Sequence, residues 1–245
     1  MTTDPPGAEW RDGHRRWPAV MAAQRIVDPS LRAVAGLTVL GGANVPRTGP
    51  LLVVANHVHN ADTVLLWLAM HRALHFMGKQ ELFAVPVLGS LIRALGGFPV
   101  DRGAADRSAI RTAEARLADG YAVAMFPEGT RSPTGRLQPG HPGAGLIALR
   151  SRAQILPVGI SGTRCFPFSR SGQNSVEARF GRGRAVVNVG TPFTLPDEIV
   201  KQRGAAAAAT ALMMAEINKL LPPDQRADEH VAASSAGLGV RAPAG

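Results

Sequence analysis

The chain has 245 residues, 45% of them hydrophobic, with a net charge of +9 and a sequence pI of about 11.2. That length can bury one sizeable core, the apolar content excludes a disordered chain, and the single cysteine, Cys165, excludes an internal disulfide and fits a reducing compartment. Of the 27 basic residues only Lys79, Lys201 and Lys219 are lysine; such an arginine bias fits coding composition equally well, or guanidinium forks that grip phosphate with paired bonds, which makes anionic lipid a natural partner. Nucleic acid, the competing polyanion, is disfavoured by 5% aromatic content and the lack of any zinc-finger, RNP-type or helix-turn-helix signature.

In chain order, residues 1–16 are polar and read as a flexible N-terminus, and residues 17–34 read as an amphipathic helix. Strand patterns follow near residues 37–41, 51–56, 74–78, 98–102, 123–127, 155–160, 176–180 and 185–190. Helical patterns fall near residues 62–71, 86–95, 105–119, 143–152 and 205–220. Strands alternating with helices predict a single α/β domain over residues 17–221, with a largely parallel central sheet flanked by helices. Residues 222–245, opening on Pro222-Pro223 and rich in Ala, Ser and Gly, read as a disordered tail. The longest charge-free runs, residues 33–46 and 48–61, are shorter than the roughly 18–20 residues of a spanning helix. Arg15-Arg16 is followed by an apolar stretch broken by Pro18, Arg25 and Asp28, which argues against an export signal. The expected location is the cytoplasm, peripheral to the inner face of the cell membrane.

Chemistry concentrates where the apolar run Leu51–Ala55 gives way to Asn56-His57-Val58-His59-Asn60-Ala61-Asp62. The strand delivers His57 to the end of a sheet, and Asp62 falls where a helix begins. There the carboxylate can accept the imidazole Nδ1–H and leave Nε2 free as a base. The spacing alone fits a loop histidine followed by a helix-capping aspartate equally well. Three later segments change the weighing: Gly97-Phe98-Pro99-Val100-Asp101-Arg102, Phe126-Pro127-Glu128-Gly129-Thr130-Arg131-Ser132 and Ile155-Leu156-Pro157-Val158-Gly159-Ile160. His57, Arg102 and Glu128 each follow a predicted strand, and in parallel sheets ligands gather at the strand C-termini.

With His57 and Asp62, these segments resemble the four sequence blocks of the glycerolipid acyltransferase family, over roughly residues 37–194, and most nearly those members that acylate lysophosphatidate. The resemblance implies acyl transfer from a thioester to the free sn-2 hydroxyl of 1-acyl-glycerol-3-phosphate, forming phosphatidic acid. It assigns His57 as base, Asp62 as its orienting partner, and Arg102, with Lys79, as phosphate contacts. Glu128, Gly129, Thr130 and Arg131 become acceptor-binding residues, and Pro157 part of the acyl-chain wall. The segments Val64–Met70 and Val85–Leu88 become an acyl groove or membrane-facing surface, or else ordinary core. No protein nucleophile is required: Ser132, Ser161 and Cys165 all lie outside a G-x-S-x-G elbow. No cofactor is expected beyond the acyl thioester co-substrate, on coenzyme A or on acyl carrier protein.

Two departures stand out. His59 occupies the position where the family has serine, so two imidazoles compete for the role of base, and His141 precedes Gly143 in a stretch that often carries lysine. His57, His59 and Asp62, or His71 with His75, lack further ligands at useful spacing, so no metal is expected. Rival readings are acylation of glycerol-3-phosphate or of another lysolipid and, in a different class, a non-catalytic basic binder of anionic lipid surfaces.

Overall fold

The structure, a computed structural model, describes residues 36–70, 72–86, 88–94, 96–100, 107–163 and 184–227. Its centre is β2 (Leu51–Ala55), five apolar residues with no exposed surface. A strand buried on both faces needs helices on both sides. Around it lie β1 (Thr38–Leu40), β3 (Leu74–Lys79), β4 (Gly97–Val100), β5 (Ala122–Met125), β6 (Gln154–Ser161) and β7 (Val186–Val189), in the spatial order β1-β7-β6-β2-β5-β3-β4. All neighbours pair in parallel except β6 with β7. The C-terminal ends of β2 to β6 therefore share one edge of the sheet.

The helices are α1 (Ala61–Ala69), α2 (Gln80–Phe83), α3 (Leu88–Ala94), α4 (Arg107–Ala118), α5 (Gly143–Ser151), α6 (Asp197–Lys201) and α7 (Ala205–Leu220). Alternation of side chains along the strands splits the core in two. Leu51, Val53 and Ala55 pack with Leu65, Leu66, Leu68 and Ala69 of α1, whereas Leu52 and Val54 pack with Ala113 and Leu117 of α4, Ile147 of α5, and Met213 and Ile217 of α7. The apolar segment Val64–Met70 is thus mostly core; Val64 alone among its residues is exposed, and Val85 is exposed in the second segment.

α5 and α7 touch backbone to backbone. A Cβ on Gly145 would come within 2.0 Å of the Ala206 carbonyl oxygen, so glycine is required there. α5 lacks a side-chain cap of its own, and Thr210 of α7 supplies one: its Oγ1 accepts the Gly145 N–H at 3.0 Å. This anchors the start of α5, which carries the loop after β5 back into the domain.

The α/β class and the largely parallel sheet agree with the sequence reading, and β7 adds one antiparallel pairing. The chain remains packed beyond Pro222, where the tail is predicted to begin: Leu137 N–H donates to Gln225 O at 2.9 Å, and Gln225 is buried. Residues 1–16, the helix over 17–34, the strand over 176–180, Cys165 and residues 228–245 lie outside the described residues. No described helix is long and apolar enough to cross a membrane.

Thr210→Val keeps the shape of the side chain and removes the only oxygen that caps Gly145 N–H from α7. Leaving one buried donor without a partner costs about 1–3 kcal/mol. Urea denaturation should show that loss with an unchanged m-value.

Candidate active site

β2 ends at Ala55, and the ladder continues for one residue by side chain. Asn56 Nδ2 donates to Ile160 O at 2.8 Å while its Oδ1 accepts Ile160 N–H at 2.7 Å. That paired bond across to β6 fixes the direction in which the chain leaves the sheet. His57 comes next, buried at 6% exposure, with Nδ1 3.0 Å from Asp62 Oδ2. Asp62 has no exposed surface and lies in the first turn of α1, where the helix dipole favours a negative charge. The same Oδ2 accepts Val58 N–H at 2.6 Å and His59 N–H at 2.7 Å. An ionised carboxylate only accepts, so Nδ1 carries the proton and Nε2 presents its lone pair.

Phe126, just past the end of β5, stacks on the His57 ring with centroids 4.0 Å apart and planes 13° apart. Beyond it Glu128, at 3% exposure, accepts His57 N–H at 2.7 Å on Oε1 and Gln138 N–H at 3.0 Å on Oε2. Ser132 N–H donates to His57 O at 2.8 Å. The Ser132 hydroxyl is consumed in its own turn, donating to Arg136 O and accepting Gly135 N–H, which leaves it no part as a nucleophile.

The second imidazole has a different job. His59 Nδ1 accepts Ala61 N–H at 3.1 Å, so its neutral ring carries the proton on Nε2. Burial pushes its pKa below the usual histidine range; the Asp62 charge opposes that, while Arg131 and His57 add to it. Of the two imidazoles, His57 is the one whose ring nitrogen is held by the Asp62 carboxylate.

Gly129, Thr130 and Arg131 form the outer part of the same turn, with Gly129 and Thr130 exposed and Arg131 half-buried. Gly129 has φ +69°, and a Cβ there would meet His141 Cδ2 at 2.8 Å, so the imidazole of His141 lies directly against this turn. Arg131 is half-buried in this turn, and its charge helps to lower the pKa of His59. Lys79 ends β3, two strands from β2 on the same edge, and β4 ends at Val100 two residues before Arg102, which lies outside the described residues. Pro157 is buried in mid-β6. Its Cγ and Leu220 Cδ1 crowd Gly190, on the sheet face covered by α7 and opposite to α1. Its packing role is plain: β7 stops at Val189, and only Pro157 O is needed there, by Gly190 N–H at 2.9 Å.

Asn56, Phe126 and the Gln138 backbone are site components that sequence reasoning missed. An amide side chain placed directly before the histidine, where a buried strand stops, was the one available signal for Asn56. Among the described residues no three His, Cys, Asp or Glu side chains gather as metal ligands. His71 lies outside the described residues, and His75 sits near the start of β3, away from the catalytic edge, with Nδ1 3.0 Å from Arg116.

A buried histidine–carboxylate pair thus sits at the C-terminal edge of a parallel sheet, with the half-buried Arg131 in the turn that follows the neighbouring strand. Residues 36–161, just over half of the chain, match the family model described as Acyltransferase, and the chain belongs to that family. It is 28% identical over 163 residues to a 1-acyl-sn-glycerol-3-phosphate acyltransferase of Bacillus subtilis, spanning 66% of this chain and 76% of that one. A second relative of the same description, from Salmonella typhimurium, is 28% identical over 185 residues, spanning 73% and 71%. A third, from Cocos nucifera, is 32% identical over 115 residues, spanning 46% of this chain and 37% of its own length. The crystal structure of a 1-acyl-sn-glycerophosphate acyltransferase from Thermotoga maritima superposes with a TM-score of 0.60 at 23% identity, over 98% of this chain and 85% of that one, and shares the fold.

Glu128 also makes a testable statement about pH. Burial, first, and the Asp62 charge raise its carboxyl from 4.5 to about 7, against the pull of the two backbone N–H bonds. A raised carboxyl pKa means the folded state holds the proton more tightly than the unfolded chain. Its contribution to stability is therefore full below about pH 4.5 and is lost as pH rises through 7, by an amount on the order of 3 kcal/mol. Urea melts at pH 5 and pH 8 should show the stability of the protein relative to Glu128→Gln falling across that window; a flat difference would mean Glu128 is ionised throughout.

Proposed function

We propose that this acyltransferase moves a fatty acyl group from an acyl thioester to the sn-2 hydroxyl of 1-acyl-glycerol-3-phosphate, forming phosphatidic acid, with His57 as general base. The hydroxyl oxygen attacks the thioester carbonyl as Nε2 takes its proton. The carbon–sulfur bond then breaks, and the proton passes to the departing thiolate, giving an ester and a free thiol. The acyl group moves directly, without an acyl-enzyme. The observation that carries the reading is the 3.0 Å bond from His57 Nδ1 to a fully buried carboxylate, which fixes the tautomer that a base requires.

In this reading Arg131, together with Lys79 and Arg102, holds the acceptor phosphate by charge-assisted bonds. Gly129 and Thr130, exposed in the same turn, flank the glycerol backbone. The donor is an acyl chain on coenzyme A or on acyl carrier protein, whose phosphopantetheine thioesters are chemically alike. The net charge of +9 supports peripheral contact with the anionic inner face of the cell membrane, where both lipids reside. Similarity to 1-acyl-sn-glycerol-3-phosphate acyltransferases of three organisms supports the choice of acceptor.

Thiol release from palmitoyl-CoA with lysophosphatidic acid tests the reading. His57→Ala should lower the rate by about 10²–10⁴-fold. Turnover by His57→Ala at the rate of the unmodified protein would remove the base, and turnover of other lysolipids alone would change the acceptor. Arg131→Ala should raise the KM for lysophosphatidic acid about tenfold or more, the worth of one charged hydrogen bond, with a smaller effect on neutral monoacylglycerol. Equal effects on both acceptors would argue against a phosphate contact.

A further inference from the structure

We propose that Glu128 is a positioning residue that serves the transfer reaction through the main chain of His57, and not a contact for the substrate. The inference rests on His57 being the base. It divides the Phe126–Ser132 segment into an inner half that cradles the base and an outer half that faces the acceptor.

Residue 57 lies two positions beyond the last residue of β2, so no ladder bond holds it. Its main chain is held instead by one distant segment. Glu128 Oε1 takes its N–H at 2.7 Å, and Ser132 N–H takes its carbonyl at 2.8 Å, while Phe126 lies flat under the ring. The next two amides, of Val58 and His59, donate to Asp62 Oδ2. Three successive N–H groups are thus captured by two carboxylates, one from each side of the loop. The loop has almost no freedom to move the imidazole.

Glu128 has little to spare for a substrate. It is 3% exposed, and its second oxygen is occupied by Gln138 N–H, which ties the β2–α1 loop to the stretch leading into α5. Reaching a glycerol hydroxyl would mean releasing one of these bonds. Gly129 and Thr130 in the same turn are exposed to solvent, and Arg131 is half-buried. Glutamine has nearly the same shape but only one acceptor oxygen, so Glu128→Gln sets an NH2 group against one of the two backbone donors. A displacement of the base by around an ångström can cost about a hundredfold in rate while leaving binding intact.

The experiment pairs steady-state kinetics of Glu128→Gln and Glu128→Asp with proton NMR of the His57 Nδ1–H, assigned by its disappearance in His57→Gln. The expected result is a kcat lowered about 10–100-fold with an acceptor KM changed less than about threefold. The Nδ1–H signal should broaden or vanish in Glu128→Gln and return in part in Glu128→Asp, which restores an all-acceptor side chain. A tenfold rise in acceptor KM at unchanged kcat, with the Nδ1–H signal as in the unmodified protein, would overturn the proposal and make Glu128 a substrate contact. The NMR reading needs no substrate, so it decides even if lysophosphatidic acid is not turned over, an outcome that would count against the proposed acceptor alone. Should Glu128→Gln fail to fold, Glu128→Asp carries the same two readouts.

Discussion

A charged group with no exposed surface has to be satisfied where it sits, and the carboxylate of Asp62 governs the architecture of this site for that reason. One of its oxygens collects three donors: the ring of His57 and the amides of Val58 and His59. The first turn of α1 adds the favourable end of a helix dipole. The other oxygen is buried without a hydrogen bond among the described residues. The chain can meet the demands of that carboxylate only by folding the loop after β2 tightly back over the start of α1. The orientation of the histidine follows from that folding. The bonds that make burial of Asp62 tolerable also fix the His57 tautomer, with the proton on Nδ1.

The parallel sheet adds the second condition. Because β5 lies beside β2 and runs in the same direction, the segment after β5 emerges next to the segment after β2. Phe126, Glu128 and Ser132 reach His57 for this reason, although 69 to 75 residues separate them in sequence. β6, on the other side of β2, supplies the Ile160 backbone that pairs with Asn56. The histidine therefore stands between two neighbouring strand ends, each bonded to its loop. The His57 main chain is bonded to the inner part of the turn after β5, while Gly129 and Thr130 on its outer part are exposed.

Much of this was readable from the chain itself, for physical reasons that differ from element to element. The run Leu51–Ala55 is apolar without alternation, as a strand buried on both faces must be, and Ala209, Met213 and Ile217 of α7 recur at helical spacing. His57 and Asp62 are five residues apart, so their pairing is a local matter of one turn and shows in the spacing. Glu128 illustrates the limit. The resemblance makes it an acceptor-binding residue, yet its hydrogen-bond partners are main-chain amides at positions 57 and 138, which only the sheet order brings within reach. Pro157 was assigned to an acyl-chain wall by resemblance, whereas which face of β6 it occupies depends on strand register, and that register puts it under α7. Packing of Gln225 against the loop at Leu137 was invisible for the same reason: polar, proline-rich sequence carries no periodicity, and the contact is made with chain almost ninety residues away.

The most direct test of the central claim is a double-mutant cycle on kcat/KM for acyl transfer, combining His57→Ala with Asp62→Asn. If the carboxylate acts through the imidazole, Asp62→Asn should cost much in the presence of His57 and almost nothing once His57 is gone, since residues acting as a unit are strongly non-additive. Equal losses from Asp62→Asn in both backgrounds would contradict the account, because the carboxylate would then be contributing by some route other than the ring it holds.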